Sequence, residues 1–366
     1  MAKVTFNNKK ALFFQSLKAS VEEYFVENNI RKTGNRHLYI KTIVLIPTAL
    51  VLYISLLVFP MTALLGISLS AVLGFTLACI GFNVMHDACH GSYSENSTVN
   101  ELLGLTLNAL GGNAFIWKQK HNVIHHTYTN VDGMDDDIAK SPLMRQCSTQ
   151  TWTPAHRVQH IYVVGIYAIS SFAWVFIMDF VKYLSRRVYR TPLQTMKMKD
   201  HVTFWASKAL YLVFYVAIPV ALVGWQAWAI GFAAMHIVMG FTLAIVFQLA
   251  HVVEETNFEV VGDEAKVIEN EWAIHQINTT ANFAPGNKII SWLVGGLNYQ
   301  VEHHLFPRIS HVHYPQISKI VEAKCAEFNI QYNCLPTLTS AVRSHFRFMR
   351  DLGRKPVLPL LVDASN

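Results

Sequence analysis

Four uninterrupted apolar runs organise the chain, at about 42–59, 61–82, 203–223 and 226–249. Each has roughly the 20 residues a helix needs to cross a hydrocarbon core of about 30 Å, where lipid offers backbone groups no partner. The runs pair as two hairpins. Pro60 turns the first and Gly224-Trp225 the second, and neither connection has room for a domain. A fifth apolar stretch, about 161–180, contains Asp179 and is bracketed by His160 and by Lys182, Arg186 and Arg187. That mixture predicts a helix lying at the membrane interface or dipping into it. The expected fold is an all-α integral membrane protein of four transmembrane helices in two hairpins, with a helical cap.

Charge orients it. Cytoplasmic flanks hold the excess Lys and Arg, and none occurs between Lys41 and Lys118 or between Lys208 and Lys266. Both hairpin turns are therefore expected to face away from the cytoplasm. Residues about 1–41, 83–202 and 250–366 face it and form one cap on a single domain of 1–366. The first 30 residues mix charged and apolar positions without the continuous apolar core of a signal peptide, which predicts a retained amphipathic surface helix. The Pro- and basic-rich stretch 347–360 predicts an end that frays or lies on the cap.

Apolar residues make up 52% of the 366 and charged residues 15%, against about a quarter charged in ordinary soluble domains. The net charge of +6 suits a protein resting on anionic lipid. Its basic residues do not cluster as a nucleic-acid patch, so no nucleic acid is expected as a partner. Five cysteines, at 79, 89, 147, 325 and 334, include no C-x-x-C pair and signal neither a disulfide framework nor a thiolate metal site.

The polar segments carry the candidate chemistry. His86 and His90, in HDACH directly after the second run, sit at i and i+4, which puts both imidazoles on one helix face. In HNVIHH, His121 and His125 repeat that spacing, and His126 points about 100° further round; the adjacent pair can reach two neighbouring ions. His303 and His304, in QVEHH, repeat the adjacent pair, and His251 closes the fourth run. Any one cluster alone reads as an ordinary structural pair. Eight imidazoles from four places near one membrane face read as a shared metal site. Imidazole suits Zn, Cu, Fe and Ni alike, but a structural zinc site needs four ligands and favours thiolates. Eight nitrogens point instead to two ions in redox-tolerant coordination. Asp87, Glu302 and the run Asp135-Asp136-Asp137 are expected to accept the second ring N–H of the ligands, with a solvated loop as the alternative for the run. Asn282 and Gln276 are further candidates around the metals. His156, His160, His236, His275, His311 and His313 carry less weight; His236 reads as hydrogen-bonded within the bundle, and His311 and His313 as capping or surface groups.

HDACH resembles the first, HNVIHH the second and QVEHH the third histidine box of the membrane fatty acid desaturase family, over roughly residues 40–320. The resemblance implies a mushroom-shaped, four-span protein whose cytoplasmic cap holds two iron ions. It implies that O2 and two external electrons are used to insert a double bond into a fatty acyl chain. Carried over position by position, it implies His86, His90, His121, His125, His126, His303 and His304 as metal ligands, with His251 as the further ligand at the end of the fourth span. Gln300 departs from the histidine that many members have at the start of the third box. It is similar to the pattern of front-end members, which place the new bond between an existing one and the carboxyl end. Those members commonly carry a cytochrome b5 domain with an HPGG motif. That motif is missing here, so electrons are expected from a separate carrier of ferredoxin or cytochrome b5 type with its reductase. The chain is most similar to short bacterial, linoleoyl-CoA desaturase-like members, which implies a bacterial inner membrane.

Unactivated methylene C–H bonds resist acid–base chemistry, so the metal carries the hard step and the protein supplies position and excludes water. The expected substrate is a fatty acyl-CoA or acyl-lipid in an apolar tunnel, with Trp117, Phe115, Tyr299 and Trp292 as candidate walls. Two other classes fit part of the pattern: a lipid hydroxylase or ketolase of the same metal family, and a non-enzymatic His-rich membrane metal or haem protein.

Overall fold

Long helices form where the apolar runs lie. The computed structural model describes residues 4–8, 11–138, 142–260 and 267–355. After α1 (Leu12–Glu27) come five helices long and apolar enough to cross a membrane: α2 (Arg36–Val58), α3 (Ala63–His90), α4 (Pro154–Ser185), α5 (Met198–Val223) and α6 (Trp225–His251). Asn35 caps α2 by accepting from the His37 N–H, and Thr62 caps α3. Gly224, at φ +82°, makes the tight turn between α5 and α6, a conformation that costs a residue without Cβ little.

α4 is longer than the interfacial stretch expected at 161–180. Asp179 does not interrupt it, because its carboxylate pairs with Lys208 at 2.9 Å and accepts from the Trp174 indole N–H. Both ends of α4 are tied to polar segments. Gln159 donates to the carbonyls of Arg145 and Met349, and Lys182 pairs with Asp136 at 2.6 Å.

α3 and α6 run side by side and share the main core, with Leu73, Leu77, Met235 and Met239 buried between them. A Cβ on Gly74 would fall 2.1 Å from the Met235 carbonyl oxygen. Only glycine allows the two backbones this close, the small-residue contact that helices in lipid rely on for packing. Outward-facing residues such as Ile43, Val51, Leu64 and Leu222 are exposed, as they would be against hydrocarbon.

The cap adds α7 (Trp272–Asn278), α8 (Gln300–Leu305), α9 (Tyr314–Glu327) and α10 (Leu338–Leu352). α1 is not a free surface helix. Phe13, Leu17, Val21 and Phe25, each four residues apart, are buried in one cluster with Ile277, Val301, Ile317 and Val321. The apolar stripe that made α1 amphipathic meets the cap itself. The cap is not purely helical either: two-residue parallel pairings join Thr5–Phe6 to Val267–Ile268, Val131–Asp132 to Glu259–Val260, and Asn282–Phe283 to Cys334–Leu335. The expected frayed end is helical as far as Leu352; residues 356–360 of it, and Lys266, lie outside the described residues.

Candidate metal centre

Four separate pieces of chain deliver the histidines. α3 widens to a π-helix over Gly81–Met85 just before His86 and His90. Gly295 packs directly beneath that wide turn, where a Cβ would come within 2.5 Å of the Phe82 carbonyl oxygen. In the second box, Asn113 caps a short helix, Ala114–Lys118, that continues as a π-helix over Gln119–His125. Such wide turns are rare and recur at functional sites. α8 supplies His303 and His304, and the last residue of α6 is His251.

All eight imidazoles are buried and gathered together. Ligand-capable atoms of His86, His90, His121 and His303 lie within 4.8 Å of one another. The same holds for His125, His251 and His304, and a third set, His126, His303 and His304, overlaps both. The adjacent pair in α8 thus divides, His303 to one group and His304 to the other. The second box divides at His121 and His125, whose rings stack 5.3 Å apart, while His126 sits where the groups meet.

The nitrogens are arranged as a cation would need. His90, His125, His251, His303 and His304 each bury an Nε2, and His126 an Nδ1, with no hydrogen-bond partner in the protein. The Nε2 atoms of His86 and His121 face each other at 3.2 Å. So many unpartnered buried polar atoms in one place are costly unless something binds them. The opposite ring nitrogens are held from outside. His125 Nδ1 is 3.0 Å from Asp135 Oδ2, His304 Nδ1 2.9 Å from Gln276 Oε1, His303 Nδ1 3.2 Å from the Tyr314 hydroxyl, and His251 Nδ1 3.4 Å from the Thr279 carbonyl. Outer contacts of this kind fix tautomer and ring orientation and leave Nε2 for the ion. Burial, reinforced by the neighbouring imidazoles, holds His121, His126, His303 and His304 well below the ordinary histidine range. They are neutral, the form that can ligate a metal.

Two expected outer partners lie elsewhere. Asp87 accepts from Ser310 at 2.7 Å and faces His311 Nδ1 at 3.0 Å. Glu302 accepts from Asn282 at 2.7 Å and Tyr332 at 2.8 Å, and burial pushes its carboxyl up to about 7 against those two hydrogen bonds. Each follows or precedes a histidine in a helix, and successive helical residues point about 100° apart. Neither carboxylate, nor Asn282 that binds one of them, reaches an imidazole of the two groups. In the aspartate run, Asp135 holds His125 and Asp137, paired with Lys120, stands 3.7 Å from the same ring nitrogen, while Asp136 pairs with Lys182.

Gln300 lies against His251, and its carboxamide oxygen is buried without a protein partner. Of the four aromatic candidates, only Trp117 has a ring contact with the histidines among the described residues; it stacks on His121 at 4.3 Å. The Tyr299 hydroxyl donates to the Pro285 carbonyl, and Trp292 packs over Lys41. His236 bonds Ser171 and Tyr211 inside the bundle as expected. His311 and His313 are buried rather than on the surface. Tyr314 and Thr279 carry no signal in the sequence: they reach the site through the packing of α9 and α7.

A family profile described as fatty acid desaturase matches residues 60–336. A protein of Synechocystis sp. named sn-1 linoleoyl-lipid 6-desaturase is 36% identical over 363 residues, covering 96% of this chain and 98% of the relative. One of the same name from Arthrospira platensis is 35% identical over 358 residues, covering 97% and 96%. An acyl-lipid (8-3)-desaturase of Physcomitrium patens is 33% identical over 346 residues, covering 93% of this chain and 72% of its own length.

Proposed function

The chain belongs to the fatty acid desaturase family, and on that premise we propose that it is an acyl-lipid desaturase of front-end type. The observation that carries this reading is the pair of overlapping imidazole groups with unpartnered nitrogens turned toward one another. His86, His90, His121 and His303 would hold one iron ion and His125, His251 and His304 the other, with His126 where the two histidine groups meet and Gln300 beside His251. Bound iron supplies the activation of O2 and the removal of hydrogen from unactivated methylenes.

The protein's own residues do the rest. Asp135, Gln276, Tyr314 and Thr279 hold four of the rings in the ligating tautomer. Burial keeps His121, His126, His303 and His304 neutral and excludes water, and Trp117 walls one side of the cluster against an apolar chain. Gln300 in the third box, together with relatives named as 6- and (8-3)-desaturases, supports placement of the new bond on the carboxyl side of an existing one. Electrons come from a separate carrier of ferredoxin or cytochrome b5 type.

The ties from both ends of α4 to polar segments support a helix that lies along the interface rather than across it. On that reading the chain has four spans, and the Lys and Arg distribution supports a cytoplasmic cap and termini.

The test is to express the chain in a host of known lipid composition, locate new double bonds by mass spectrometry, and measure iron and absorption of the purified protein. Two irons per chain without haem, and a new bond between the carboxyl group and an existing bond, are expected. Stoichiometric haem, or a hydroxylated or ketone product, would overturn the desaturase reading. A single new bond in a saturated chain would overturn the front-end assignment.

A further inference from the structure

α10 has two unlike faces. Ala341, Ser344, His345 and Met349 are buried, whereas Arg343, Arg347 and Arg350, with Arg354 just past the helix end, are exposed. At about 100° per residue these four arginines fall within about 60° of one another, in a single cationic stripe. Asp351 lies 3.3 Å from Arg354 and 3.8 Å from Arg350. Among the described residues Arg343 and Arg347 have no carboxylate partner. Glu255 is turned to the buried side, where it accepts from Ser344 at 2.6 Å.

The stripe lies at the depth of lipid headgroups. α6 has 27 residues, roughly 40 Å by helical rise, and a hydrocarbon core is only about 30 Å thick. Its ends therefore emerge, and α10 is fastened to the one that carries His251. His345 Nδ1 donates to the Val252 carbonyl at 2.7 Å, and Met349 packs with Val252 and Val163. The far end of α10 meets the start of α4, where Gln159 donates to the Met349 carbonyl at 2.7 Å and Gly353 packs against the His156 carbonyl. Beside that contact Arg157 is exposed, next to the exposed apolar Val158 and Ile161. Arginines bordering outward-facing apolar residues are the pattern of a helix seated between hydrocarbon and headgroups. An acidic protein partner would need a surface that stands clear of the bilayer.

We propose that the arginine stripe of α10, extended by Arg157, binds the phosphates of anionic phospholipid headgroups. Guanidinium forks match phosphate oxygens in pairs, and anionic lipid is the negative charge available at this depth to a chain embedded in a bilayer. Only that embedding is needed, whatever reaction the metal centre runs. Because α10 holds the carbonyl of Val252, the residue after His251, bound lipid also steadies the end of α6 that enters the histidine cluster.

The full chain, purified in neutral detergent, is offered equal amounts of phosphatidylglycerol and phosphatidylcholine in mixed micelles, and the lipid that stays bound is counted by mass spectrometry. Phosphatidylglycerol should be retained at least fivefold over phosphatidylcholine. The preference should fall below twofold in a variant combining Arg343→Gln, Arg347→Gln and Arg350→Gln, with iron per chain unchanged. Arg186→Gln with Arg187→Gln, exposed positions past the other end of α4, should keep it. Equal retention of the two lipids by the unaltered protein, a preference that the triple variant keeps, or one that the Arg186 and Arg187 variant loses as fully would overturn the proposal.

Should the triple variant fail to fold, hydrogen exchange of the unaltered protein decides. Amides of 338–352 should exchange at least threefold more slowly in phosphatidylglycerol bicelles than in phosphatidylcholine bicelles, and equal exchange would overturn the proposal. A salt-sensitive complex with an acidic ferredoxin, lost in the triple variant while phosphatidylglycerol is not preferred, would assign the stripe to a protein instead.

Discussion

Gln276 Oε1 lies 2.9 Å from His304 Nδ1 and accepts from the Thr129 hydroxyl at the same distance. One carboxamide oxygen thus fixes which nitrogen of His304 carries its proton, although Gln276 belongs to none of the histidine boxes. Gln276→Leu removes the acceptor while roughly keeping the volume. Losing an outer partner of a metal ligand typically costs about 10–100-fold in affinity, so iron retention against a competing chelator should weaken by that factor. Unchanged retention would show that the Thr129 hydroxyl, 3.2 Å from the same nitrogen, and packing suffice to orient His304.

His125 depends on Asp135 in the same way, at 3.0 Å. Asp135→Asn weakens that acceptor and loosens the group of His125, His251 and His304, while His86, His90, His121 and His303 keep their contacts. Iron content is expected to fall from two per chain toward one. A fall to zero would mean that His126 and His303, shared where the groups meet, make binding of the two ions inseparable.

The histidines could be read from sequence because their spacing is local: i and i+4 in HDACH, adjacent in QVEHH. Of their outer partners, Asp135 and Gln276 are among the candidates that the sequence offers, whereas Thr279 and Tyr314 arrive by packing of distant helices and carry no local signal. Asp87 and Glu302 misled because neighbours in sequence point different ways on a helix. The wide turns at Gly81–Met85 and Gln119–His125 leave no compositional trace, yet they set how the rings divide between the two groups. For α1 the stripe of Phe13, Leu17, Val21 and Phe25 was legible, but nothing within it says whether lipid or the cap will cover it.

Lys41 Nζ lies 2.9 Å from both Asn83 Oδ1 and His311 Nε2. An ammonium only donates, so His311 carries its proton on Nδ1, 3.0 Å from Asp87 Oδ2. All four residues are buried, and together they join α2, α3 and the segment after α8. Lys41→Met leaves Asp87 charged without compensation. Removing one member of a buried pair costs about 3–5 kcal/mol, which thermal unfolding in detergent would report. Lys41→Met combined with Asp87→Asn should recover a large part of that loss, and the double-mutant cycle measures the coupling. Additive losses would show that the Lys41–His311–Asp87 chain is not energetically connected.

Acid should destabilise the cap through His275 and His345. Burial lowers both to about 4, against the opposing hydrogen bonds they make to the carbonyls of Thr129 and Val252. His345 Nδ1 donates to the Val252 carbonyl at 2.7 Å, and Nε2 faces the Tyr167 hydroxyl at 3.0 Å. That arrangement satisfies the neutral ring, whereas a second proton would put Nε2–H in a site with no charge partner. Between about 4 and an unfolded value of about 6.5 the unfolded chain binds more protons, so stability rises with pH in that window. The contribution is fully present above about 6.5 and is lost as pH falls toward 4, amounting to about 3 kcal/mol per histidine. Unfolding compared at pH 7.5 and 4.5 should show the unaltered protein losing stability, and His345→Gln losing less by one histidine's share. A variant with the same pH dependence as the unaltered protein would show that His345 is not held neutral in the folded state.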